Sequence, residues 1–133
     1  MFMGLTDSQR AGAYIRVEGN AGKARAIDQQ RHTIEDFARE KGMKISEYYI
    51  DKAGGATPMD KRDGYAILKE DIASGKINTV VVASFEMLTT SSSEAGGLLH
   101  EFAEKGVEIY SASTGEYLNP SEPVTREQRL LAH

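Results

Sequence analysis

Ile72-Ala73-Ser74-Gly75-Lys76-Ile77-Asn78-Thr79-Val80-Val81-Val82 joins a helix end, a stop and a buried strand. The Val run shows no polar alternation, as expected of a central parallel strand covered on both faces. Gly75 sits where a helix C-terminus takes a left-handed residue before the chain turns. The same punctuation recurs at Gly42 and Gly106. Ahead of Gly42, Ile27, Ile34, Phe37 and Ala38 form a helical stripe over Ile27–Lys41; ahead of Gly75, Tyr65, Leu68 and Ile72 do so over Gly64–Ser74. Before Gly106, Ala95, Leu98, Leu99 and Phe102 supply a third apolar side, opened by the S-x-x-E spacing of Ser91 and Glu94. Ala13–Val17, Ile45–Ile50, Thr79–Ala83 and Val107–Tyr110 read as strands. Strand and helix alternate three times before a last strand, which predicts an α/β domain: a mainly parallel four- to five-stranded sheet flanked by helices.

The expected organisation is a flexible N-terminus over 1–12, an α/β domain over 13–118, and a loop with the start of a helix over 119–133. A chain of 133 residues suffices for one core without staples. It has no Cys, which excludes disulfides, a thiolate nucleophile and Cys-ligated zinc. No apolar run approaches a membrane span and Met1–Arg10 lacks a signal-peptide core, so a cytoplasmic location and no membrane partner are expected. Net charge is −4, unevenly placed: residues 1–62 carry 11 Lys/Arg against 9 Asp/Glu, and residues 63–133 carry 5 against 11. Only the first half is suited to face a polyanion, and then weakly.

Ligands of open α/β sheets gather at the carboxyl ends of strands. Those ends hold Arg16 and Glu18, then Asp51, then Ser84 and Glu86. Arg16 and Glu18, two apart on a strand, share a face and suit either a simple ion pair or a site. Gly19–Lys23 is no phosphate loop: the first glycine would fall on Val17, and Ala24 stands where a magnesium-binding hydroxyl is needed. His32, His100 and His133 have no metal-ligand spacing, and Ser91–Ser93 reads as a helix start rather than a nucleophile.

In order, Tyr14-Ile15-Arg16-Val17-Glu18, Ala26–Arg31 with Gln30, Asp51–Gly55, Lys61-Arg62-Asp63, Ile72–Val82 and Phe85–Thr90 resemble the catalytic domain of resolvase/invertase serine recombinases. That family opens with Tyr-x-Arg-Val-Ser, carries Gln in the first turn of the next helix, and follows its third strand with Leu-Asp-Arg-Leu-x-Arg. The resemblance implies a catalytic set at positions 16, 18, 30, 51, 62 and 86: Arg16, Glu18, Gln30, Asp51, Arg62 and Glu86. Its serine attacks a DNA phosphodiester while arginines neutralise the transition state. Here Glu18 takes the serine position, Met87 and Thr90 replace two arginines, and Glu86 lengthens the family's Asp. A carboxylate repels phosphate, and each lost charge-stabilising donor typically costs on the order of 10²–10³ in rate.

The resemblance therefore implies a silent recombinase domain of a mobile element, with a regulatory or assembly role. Arg16 and Arg62 would contact DNA phosphate weakly, and the domain would pair with itself or with an active recombinase. Because the family's dimerising helix begins where this chain ends, poor self-association is also expected. No cofactor or metal is called for on this reading. Two alternatives stand beside it: a metal-dependent phosphodiesterase using Glu18, Asp51 and Glu86, and a protein-binding scaffold unconnected with DNA.

Overall fold

The computed structural model describes residues 9–18, 23–54 and 57–118. The expected N-terminal segment up to residue 8, the Gly19–Gly22 loop, Gly55, the 119–133 tail and His133 lie outside the described residues.

Five strands form one sheet in the order β2-β1-β3-β4-β5. They are β1 (Ala11–Val17), β2 (Ile45–Lys52), β3 (Thr79–Val82), β4 (Glu108–Ser111) and β5 (Tyr117–Leu118). The first four run parallel and β5 returns antiparallel to β4. The helices are α1 (Lys23–Lys41), α2 (Asp63–Ala73) and α3 (Ser92–Lys105). This is the mainly parallel sheet flanked by helices that the alternation predicts. Gly42, Gly75 and Gly106 have φ of 67°, 82° and 68°, so each supplies the left-handed turn that frees the chain to enter a strand.

Two apolar layers enclose the sheet. Ala13, Ile15, Val17 and Val81 pack with Ile34, Phe37 and Ala38 of α1 on one face. Tyr14, Tyr49, Val80, Val82 and Ile109 pack with Leu68 and Ile72 of α2 and Leu98 and Phe102 of α3 on the other. Side chains alternate along β1, so Arg16 and Glu18 follow Tyr14 onto the α2/α3 face.

Several boundaries differ from the expectation. Ala11 and Gly12 lie inside β1, paired with β2 across a register shift, so the strand begins before the expected Ala13. Helix α1 starts at Lys23, four residues early, which places Gln30 well beyond its first turn. Met59–Lys61 forms a 3-10 turn between β2 and α2, where no element is expected. β5 lies beyond Val107–Tyr110, the last strand expected: two residues show no periodicity, and a turn with Gly115 at φ 74° brings them back onto β4. The S-x-x-E box forms only by half. Ser91 Oγ accepts from Glu94 N (3.3 Å), but the Glu94 carboxylate turns away to accept from Met59 N (2.9 Å) and Thr89 Oγ1 (2.7 Å).

Candidate active site at the carboxyl ends of β1, β2 and β3

The strand order places a crevice where the connection from β1 goes to one side and the entry to β3 lies on the other. Arg16 ends β1 beside Asp51 of β2 in direct register. Its guanidinium spans the crevice: Nε donates to Met87 O (3.1 Å), Nη2 to Glu86 O (3.0 Å), and Nη1 to Ala53 O and to Glu18 Oε2 (both 3.1 Å). Arg16 is 6% exposed, whereas the Glu18 side chain keeps 64% of its surface in solvent. The ion pair expected between them is present, and with so exposed a carboxylate it contributes well under about 1 kcal/mol. Gln30 reaches from α1 and donates Nε2 to the Arg16 carbonyl (2.9 Å); its Oε1 is buried without a partner among the described residues.

Asp51 is engaged by three donors. Its Oδ1 accepts from Gly64 N (2.6 Å), and its Oδ2 from Tyr65 N (2.9 Å) and Tyr14 Oη (2.7 Å). It therefore caps α2 from a neighbouring strand, since Arg62 at the N-cap position supplies no side-chain cap. The capping requires α2 to lie against β2. A Cβ on Gly64 would stand 2.9 Å from Ile50 O and 3.0 Å from the Asp51 carboxylate.

Arg62 is 2% exposed. Its Nη1 donates to Leu88 O (2.6 Å) and, at 3.4 Å, to Tyr14 Oη, and its Nε donates to Thr57 O (3.1 Å). The Tyr14 hydroxyl thus relays between Arg62 and Asp51. Burial, then the bond to Asp51, pushes its pKa well above the ordinary tyrosine value. Glu86 points outward, accepting from Ser84 Oγ at 3.4 Å, while its carbonyl holds Arg16. Both guanidiniums expected to meet DNA phosphate are turned inward onto backbone carbonyls.

The metal alternative is not supported by this geometry. Among the described residues no group of three His, Asp or Glu side chains is placed to hold an ion. Asp51 spends both oxygens on α2 and Tyr14, and Glu18 pairs with Arg16. Tyr14, which the motif match includes without a role, and Glu94 join these contacts as residues outside the expected set. Glu94 reads as a cap, and the partners of both residues lie far along the chain.

The family described as Resolvase, N terminal domain, matches residues 11–133. The chain belongs to that family. Among solved structures, this resolvase domain is similar to the N-terminal catalytic domain of TP901-1 integrase, at 20% identity and TM-score 0.68 over 91% of this chain and 92% of that one. The C-terminal catalytic domain of ISC1926 TnpA, an IS607-like serine recombinase, gives 25% identity and TM-score 0.68 over 77% of this chain and 70% of that one. A resolvase family site-specific recombinase from Streptococcus pneumoniae gives 18% and 0.66 over 92% and 84%. No curated protein sequence matches this chain. Among the described residues, no helix of the resolvase domain is long and apolar enough to cross a membrane.

Proposed function

We propose that this resolvase-family domain takes part in site-specific DNA recombination without cutting DNA itself, through assembly with its own kind or with an active recombinase. The observation that carries the reading is Glu18. It follows Arg16 by two residues at the end of β1 and lies on that guanidinium at 3.1 Å, where the resemblance calls for a serine hydroxyl. A carboxylate there opposes an incoming phosphate, and any acyl phosphate would be open to water. Met87 and Thr90 leave the position short of two cations, and the loss of nucleophile and cations together exceeds what neighbouring groups replace. On this reading Arg16, Gln30, Asp51, Arg62 and Glu86 are the remaining frame of a catalytic set, and Arg16 and Arg62 give a weak phosphate contact. A cytoplasmic setting on a mobile element accords with it.

Two measurements test the proposal. Supercoiled plasmid incubated with the protein should stay intact, and a short DNA duplex should bind no tighter than the micromolar range at physiological salt, as expected of roughly non-specific contact. Nicked plasmid, or sequence-specific binding in the nanomolar range, would contradict it.

A further inference from the structure

Two side chains, Arg62 and Glu94, each tie together the same two turns, and a third, Arg16, ties the second of them to the end of β2. One turn is Thr57–Arg62, built around the 3-10 residues Met59–Lys61; the other follows β3 and includes the 3-10 residues Phe85–Met87. Arg62 holds Thr57 O and Leu88 O. Glu94 holds Met59 N and Thr89 Oγ1. Arg16 holds Ala53 O, just past β2, together with Glu86 O and Met87 O. Thr89 is fully buried and its Oγ1 also accepts from Ser91 N at 3.0 Å, which fixes the second turn to the start of α3.

We propose that these contacts form one clasp that opens and closes as a unit, and that the closed clasp keeps both guanidiniums from any external anion. Charged donors bonded to buried carbonyls are strong contacts, so freeing Arg62 means parting the two turns, and freeing Arg16 means parting the second turn from the end of β2. A phosphate-bearing ligand of this face then selects the open state, and its apparent affinity is lowered by the small open fraction. The joint opening stands on the contacts alone. The anion gate rests in addition on the weak phosphate role proposed above for Arg16.

Thr89→Val tests this, because it deletes the Glu94 and Ser91 contacts without changing charge or removing an arginine. Amide hydrogen exchange should accelerate together in Thr57–Arg62 and in Ser84–Thr90, although Thr89 lies only in the second. Affinity for a short labelled DNA duplex should rise by about tenfold, the scale set by one or two lost hydrogen bonds. Adding Arg16→Met should erase that gain. Glu94→Gln is a second variant with the same expectations, and Glu104→Gln on the outer face of α3 controls for its charge. Faster exchange confined to Ser84–Thr90 would overturn the clasp. A duplex affinity that does not rise, or rises independently of Arg16, would overturn the gate. Plasmid nicking by the unaltered protein bears on the proposed function and leaves both of those readouts in force.

Discussion

Asp51 shows how far a residue's role departs from its residue type. A carboxylate at the end of a strand beside an arginine reads as a catalytic acid or a metal ligand. Its partners are instead Tyr14 Oη, Gly64 N and Tyr65 N, separated from it by 37, 13 and 14 positions. Periodicity places a strand end but cannot reveal which distant donors converge there, so the position was legible and the cap was not. Arg16 was legible in the same partial sense: its pairing with Glu18 follows from two-residue spacing, whereas its bonds to Ala53, Glu86 and Met87 depend on how the sheet is ordered. Asp51→Ala removes a cap and leaves the Tyr14 hydroxyl without its acceptor. It should lower stability by about 2–4 kcal/mol in urea unfolding. A loss below about 1 kcal/mol would show that α2 does not depend on this carboxylate.

At the scale of the element, two glycines make opposite predictions. Gly64 opens α2 against the backbone of β2, and a methyl there meets Ile50 O at 2.9 Å. Gly64→Ala should therefore cost about 1–3 kcal/mol by forcing α2 away from β2 and Asp51. Gly97 lies in α3 on the exposed side, and a methyl group added there would have nothing within 4 Å. Gly97→Ala should stabilise by up to about 1 kcal/mol, because glycine is a poor helix former and no contact opposes the change. Equilibrium denaturation of the two variants checks both signs, and a destabilising Gly97→Ala would mean the face of α3 is covered by something. The helices were readable because each stripe recurs over several turns: Ile34, Phe37 and Ala38 in α1, Leu98, Leu99 and Phe102 in α3, are all buried. β5 was not, because two residues carry no period. Glu94 misleads because its spacing from Ser91 matches a capping box, while its carboxylate is engaged by Met59 N and Thr89 Oγ1.

For the whole molecule, the order of elements was legible from glycine punctuation and one unbroken Val run, and layer assignment then follows from alternation along each strand. The cores on the two faces also govern behaviour in alkali. Burial, then a hydrogen bond to Glu35, raises Tyr48 to about 12, and burial first of all lifts Tyr14, Tyr49 and Tyr65 further above the ordinary value of 10.0. The unfolded chain releases these protons near pH 10 while the folded one retains them. Stability should thus be complete below pH 10 and fall progressively as pH climbs toward the folded values. Phenolate absorbance and circular dichroism followed together should show these tyrosines ionising as the fold is lost; ionisation of all tyrosines near pH 10 with the fold intact would contradict the burial. Covalent capture tests the chemistry at the end of β1 most directly. End-labelled DNA incubated with the protein, and separately with Glu18→Ser, is run on a denaturing gel. No protein-linked strand is expected in either lane, because on the proposed reading Met87 and Thr90 stand where the resemblance calls for arginines, even when the hydroxyl returns. A labelled strand covalently attached to the unaltered protein would contradict this outright, and one attached only to Glu18→Ser would reduce the loss to a single residue.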